Sequence, residues 1–201
     1  MKYYREIDID DFEIIQEKSL VYANYVLNHR ASKNINVIGY SDIPDFKKFL
    51  EQIPELSTSF AKYDLTIKSV AFYFTDQPTT DYVPADCPVK NFYHTRKNPV
   101  HTDVYHHFAR VNIPILNTKG TFTRFFTNCV LKHWKNPFTG ATFQIVGNRD
   151  YIEVDAVEIL KPTVIRVQEP HLVQVYEGSP IPRITLSVGF DRDPVYLLEQ
   201  E

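Results

Sequence analysis

The triplet His101-Thr102-Asp103 carries more chemistry than any other short stretch of the chain. In an extended segment, side chains at i and i+2 share one face, so this imidazole and carboxylate can touch a single metal ion. A third ligand is offered by His171, which follows Pro170 and opens the apparent strand LVQVY. Two His and one carboxylate, with other coordination positions open, are the donor set of non-heme iron(II) centres that work on dioxygen. His106 and His107 follow the triplet closely and are alternative ligands, His107 sharing parity with Asp103 if the strand is unbroken. His29 reads as a helix-end residue, and His94 and His133 as loop residues. If Glu177-Gly178-Ser179 form a three-residue hairpin loop, Tyr176 pairs with Pro180 and Val173 with Arg183. His171 and Arg183 then become diagonal neighbours on one face, about 7 to 8 Å apart. Such a pair suits a small dicarboxylate, held by the metal at one end and by a planar guanidinium fork at the other. Thr185, two residues on, would add a hydroxyl to the same face.

The elements that must position these residues are mostly strands. From Asp11 to His29 the apolar residues Phe12, Ile15, Leu20, Tyr22 and Val26 recur at helical spacing after an acidic start, which predicts one helix. Pro44, Phe46, Phe49 and Leu50 predict a second, short one over 44–52. Beyond it the period changes. Segments 65–74, 109–116, 122–126, 151–160, 163–167, 172–176 and 184–190 are short, β-branched or aromatic, and bounded by Pro, Gly, Asn or Asp. The expected fold is mainly β with N-terminal helices: a single domain over 1–201, with a helical layer over 1–60 and a β-core over 61–201. Seven or more strands with aromatic inward positions suit a sandwich, a jelly roll or a barrel. Two long connections, 77–99 and 132–148, read as walls of a site. They hold Tyr82, Phe92, Tyr93, Trp134 and Phe138 with Lys90, Arg96 and Lys135, a mixture able to stack on and charge-pair with a polar ligand.

The set His101-x-Asp103, His171 and Arg183 resembles the iron(II)- and 2-oxoglutarate-dependent oxygenases. The stretch from His101 through Arg110-Val-Asn112-Ile-Pro-Ile is most similar to the aspartyl/asparaginyl β-hydroxylase-like branch. That branch has a ligand His, an Arg nine residues on, and a cosubstrate-binding His eleven residues on. Arg110 stands at the first of these places here, and Asn112, still a hydrogen-bond donor, at the second. Some members of the branch lack the acidic ligand, whereas Asp103 is present, and the interval to the second His is longer here. The resemblance spans residues 100–190. It implies a double-stranded β-helix core of jelly-roll or cupin-like type, with iron(II) on His101, Asp103 and His171. It also implies 2-oxoglutarate held by Arg183 with Thr185, Asn112 and Arg110, and a dioxygen-consuming hydroxylation that releases succinate and carbon dioxide. The substrate would be an amino-acid side chain in a peptide, or a small molecule.

Composition narrows the alternatives. The 201 residues carry 22 Lys plus Arg against 25 Asp plus Glu, a net charge of −3, without the basic footprint of a nucleic-acid binder. Hydrophobic residues make up 43% and charged residues 23%, enough apolar matter for a core. The first residues lack the apolar stretch of a signal peptide, and no window is apolar enough to cross a membrane as a helix, so a cytoplasmic protein is expected. Cys87 and Cys129 match no zinc spacing and read as ordinary thiols. Arg110 has a second reading as a solvent-facing strand residue. Two rivals stay open: a non-catalytic β-sandwich binding module, and a cupin-type metal enzyme with no use for 2-oxoglutarate or Arg183.

Overall fold

Neither Gly nor Pro interrupts residues 12–31, and they form one helix, α1 (Phe12–Ala31). Ile15, Ser19, Ala23 and Val26 follow one another up a single face of it and are buried. The second helix, α2 (Phe46–Gln52), starts where the Asp45 carboxylate accepts the Lys48 N–H at 3.0 Å. A third helix, α3 (Pro54–Ala61), opens on a proline, whose missing N–H costs nothing in the first turn. The computed structural model describes residues 1–31, 39–42, 45–76, 78, 100–103, 107–135, 142–147 and 150–200. Among them no helix is long and apolar enough to cross a membrane.

Among the described residues, twelve strands lie before, between and after the helices. They are β1 (Tyr4–Glu6), β2 (Gly39–Asp42), β3 (Ile67–Thr75), β4 (His101–Asp103), β5 (Ala109–Leu116) and β6 (Thr121–Thr127), then β7 (Leu131–Lys135), β8 (Thr142–Val146), β9 (Ile152–Val157), β10 (Thr163–Arg166), β11 (His171–Val175) and β12 (Arg183–Phe190). They form two six-stranded sheets, in the orders β1-β10-β5-β12-β3-β2 and β7-β8-β4-β11-β6-β9. The described pairings are all antiparallel. Along the chain β3, β4, β5 and β6 alternate between the sheets. On the return, β12, β11, β10 and β9 pair with them one for one.

The two faces of the first sheet differ in chemistry. Val70, Phe72, Val111, Ile113, Ile184 and Leu186 point to the helices and join a cluster drawn from Ile7 to Leu198. The alternate residues Arg110, Arg183, Thr185 and Ser187 are buried on the other face, towards the second sheet. The sheets meet there through Ile165 against Phe125 and Val157, and through Arg183, whose Nε donates to Thr121 Oγ1 at 3.0 Å. A layer of buried polar side chains therefore lies inside a β-structure whose apolar core is under the helices.

Three expectations need correction. The first 60 residues are not purely a helical layer, because β1 and β2 join the first sheet. Segment 132–148 is no open connection: β7 and β8 make a hairpin that extends the second sheet, with Ile145 opposite His101 and Phe143 opposite Asp103. And β11 does not pair with β12, which lies in the other sheet beside β3 and β5. A hairpin would need backbone N–H groups at residues 180 and 182, and both are proline. Segment 176–182 instead crosses between sheets, so His171 and Arg183 are not diagonal neighbours. Segment 77–99, apart from Pro78, lies outside the described residues, as do His94 and His106.

Candidate metal centre and anion pocket

The three residues read as ligands come together. His101 and Asp103 stand on one face of β4, while Thr102 turns away and donates to Gln144 Oε1 at 3.2 Å. His171 begins β11 directly opposite His101. The two imidazole centroids are 4.7 Å apart, and His101 Nε2 lies 3.7 Å from Asp103 Oδ1. One ligand atom from each of the three residues falls within 4.8 Å of the others. A metal about 2.0 to 2.2 Å from each requires ligand pairs about 3 to 4 Å apart. Small side-chain rotations would close that difference. His171 is 6% exposed, and the other two side chains 17% and 11%, so the centre is sheltered without being sealed.

His171 is also preset for coordination. Its Nδ1 lies 2.8 Å from the Glu169 carbonyl, which only accepts, so Nδ1 carries the proton and Nε2 keeps its lone pair. Burial first, then the nearby His101, push its pKa from 6.5 down to about 4, against the opposing pull of Asp103 and the Glu169 bond. At neutral pH it is the neutral imidazole that metals bind. The unfolded chain takes up this proton near pH 6.5 and the folded one only near 4. Stability of the metal-free protein is therefore full above pH 6.5 and falls as pH drops, by about 3 kcal/mol at pH 4. Urea titrations across that range should show a loss that His171→Gln largely removes.

Arg183 lies inside the polar layer at 3% exposure. Burial pushes its pKa down to about 10, which leaves it charged at neutral pH, and no carboxylate among the described residues pairs with it. Its Nε is fixed by Thr121, which leaves the outer guanidinium nitrogens for a bidentate partner. Around it, Thr123 Oγ1, Thr185 Oγ1 and Asn112 Oδ1 are buried with no hydrogen-bond partner among the described residues. Each orphaned buried polar group costs about 1 to 3 kcal/mol, so the arrangement suits a polar anion. Along β6, Thr121 lies opposite Val175 and Phe125 opposite His171. The β6 backbone positions at the two ends of the site are thus four residues apart, about 13 to 14 Å, with Thr123 between them. No family, curated protein or solved structure matches this chain.

Arg110 is buried, which removes its solvent-facing reading. Its Nε donates to Ser187 Oγ at 2.9 Å, Nη1 to Ser69 Oγ at 3.3 Å and Nη2 to the Ser187 carbonyl at 3.4 Å. The guanidinium passes over Gly189, where an added Cβ would sit 2.6 Å from both Arg110 Nη1 and Ser69 Oγ. A larger residue there would have to displace the Arg110 guanidinium and the Ser69 hydroxyl. Gly189→Ala should destabilise the protein by about 1 to 3 kcal/mol, the usual cost of overpacking, read as a lowered urea midpoint with unchanged slope.

Other candidates are not brought to the centre. His107 sits in a bend where its carbonyl accepts from Gln168 Nε2 at 3.2 Å, and it is outside the metal-competent group. His133 is exposed on β7, its Nε2 3.5 Å from Gln144 Nε2. Burial pushes the Cys129 thiol up to about 11, so it is a poor nucleophile. Tyr82, Lys90, Phe92, Tyr93, Arg96 and Phe138 lie outside the described residues, as do the side chains of His29, Trp134 and Lys135. Sequence reasoning missed Glu169, Thr121, Thr123 and Phe125. The alternation Thr121-x-Thr123-x-Phe125 was the available signal, with the hydroxyls on the inward face of a strand.

Proposed function

We propose that the protein is an iron(II)- and 2-oxoglutarate-dependent oxygenase. The observation that carries this reading is the pairing of two features on facing sheets: a convergent His101, Asp103 and His171, and the buried Arg183 with no acidic partner among the described residues. The strand pairing supports a double-stranded β-helix. Strands β3 to β6 run out between the sheets and β12 to β9 run back beside them, so a two-stranded ribbon winds through both layers.

His101, Asp103 and His171 would hold the metal, the Asp103 carboxylate offsetting part of its charge and the Glu169 carbonyl fixing the His171 ring. Arg183 would grip the distal carboxylate of 2-oxoglutarate through its free nitrogens, with the Thr123 and Thr185 hydroxyls and the Asn112 amide as further partners. Together, iron and cosubstrate supply the oxidising power of dioxygen, with succinate and carbon dioxide released as a C–H bond is hydroxylated. The protein's part is to orient these groups in a sheltered site. Because β8 flanks His101 and Asp103, the β7–β8 hairpin would form a wall on the substrate side. The substrate we infer is an amino-acid side chain or a small molecule, met in the cytoplasm without nucleic acid. A cupin-type enzyme without an oxo acid has no use for Arg183, and a non-catalytic module has none for a tautomer-fixed triad.

The test is turnover. Protein loaded with iron(II) and given 2-oxoglutarate in air should form succinate in a slow, chelator-sensitive reaction even before its substrate is known. Full iron occupancy with no succinate formed would overturn the reading.

A further inference from the structure

A run of aromatic rings leads from the candidate metal centre to the edge of the first sheet. Centroids are 4.7 Å apart from His101 to His171, 6.3 Å from His171 to Phe125 and 6.2 Å from Phe125 to Tyr4. Phe125 is fully buried, whereas Tyr4 is partly exposed on the edge strand β1. Strand register creates this run. Phe125 lies opposite His171 on one side and opposite Asp155 on the other, and Tyr4 lies opposite Ile165, which packs on Phe125. Asp155 thereby comes close enough to Tyr4 for its charge to act on the hydroxyl, while Oδ1 of the same carboxylate accepts the Ala156 N–H at 2.9 Å.

A phenol is among the more easily oxidised side chains, but at neutral pH it gives up an electron only when its proton also leaves. Burial, followed by the charges of Asp155 and Glu6, raises the Tyr4 pKa, so the residue is protonated until it is oxidised. Tyr4 has both requirements at hand, a short path of rings to the candidate metal ligand and a carboxylate nearby to take the proton. Tyr3 stacks on Phe125 at 5.1 Å but makes no hydrogen bond to a carboxylate among the described residues.

We propose that Tyr4 is a redox-active residue, which returns an electron to the metal centre through Phe125 and His171 when dioxygen and cosubstrate are consumed without substrate. In each event the Tyr4 O–H bond breaks, one electron reduces the oxidised centre, and the proton passes to Asp155. A neutral tyrosyl radical remains, and a one-electron reductant of the ascorbate class, with a proton, restores the phenol. The inference rests on the oxygenase reading for its oxidant; the path and the proton acceptor are features of the chain itself.

Freeze-quench electron paramagnetic resonance tests it. Iron-loaded protein with 2-oxoglutarate is mixed with oxygenated buffer lacking substrate, after its anaerobic visible band has been recorded, and succinate is measured afterwards. The expected result is a tyrosyl radical that Tyr4→Phe abolishes, Tyr3→Phe retains and Asp155→Asn diminishes, with band and succinate present in all samples. Band and succinate without a radical, or a radical undiminished in Tyr4→Phe, would overturn this inference and leave the oxygenase reading standing. Absence of both band and succinate would overturn the two together.

Discussion

Arg183→Ala protein should bind iron(II) almost as the parent does and lose affinity for 2-oxoglutarate by two to three orders of magnitude. The expectation follows from burial. Removing one partner of a buried charge pair costs about 3 to 5 kcal/mol, and each 1.4 kcal/mol is about tenfold in affinity. Arg183 is 3% exposed and its Nε is tied to Thr121, so its geometry is set before any ligand arrives. Arg183→Lys should recover only part of the loss, because an ammonium cannot reproduce a planar fork. Calorimetric titration of both variants under anaerobic conditions measures the difference. Unchanged cosubstrate affinity in Arg183→Ala would move the carboxylate site elsewhere, with Arg110 the next buried cation to examine.

The reciprocal effect is expected at the ligands. Asp103→Ala and His171→Ala should each weaken iron(II) by more than about 100-fold, since losing even an outer partner of a metal ligand costs about 10 to 100-fold. Asp103→Ala leaves two neutral imidazoles and no charge to offset the metal, and His171→Ala removes the one ring whose tautomer is fixed by Glu169. Iron retained at parental affinity by either variant, measured by equilibrium dialysis, would reject this ligand set.

Much of the core was legible because strand residues announce themselves. The run ARVNIPIL is β5 from its first residue to its last, and the segment read over 184–190 is β12 less one residue. That His101 and Asp103 share a face was legible for a different reason, the period of two, which holds in a strand of only three residues. What failed was sheet membership. His171 and Arg183 are both buried, but the parity that put them on one face presumed a shared hairpin, and β12, with Pro180 and Pro182 before it, lies in the other sheet. The pairing of β7 with β8 was hidden by NPFTGA, whose Pro and Gly read as a long connection. Thr121 and Thr123 were not singled out in the sequence; the structure buries both and sets Phe122 against Tyr176.

In the proposed function, His101, Asp103 and His171 would hold iron(II) and Arg183 would hold 2-oxoglutarate in the same centre. An anaerobic titration of the purified protein with iron(II) and then 2-oxoglutarate tests this most directly, followed by visible absorption. The account predicts a metal-to-ligand charge-transfer band that saturates at one iron per chain, is absent in Asp103→Ala, and needs far more 2-oxoglutarate in Arg183→Ala. A protein that binds iron but develops no band at saturating 2-oxoglutarate, or one whose band survives Asp103→Ala unchanged, would contradict it.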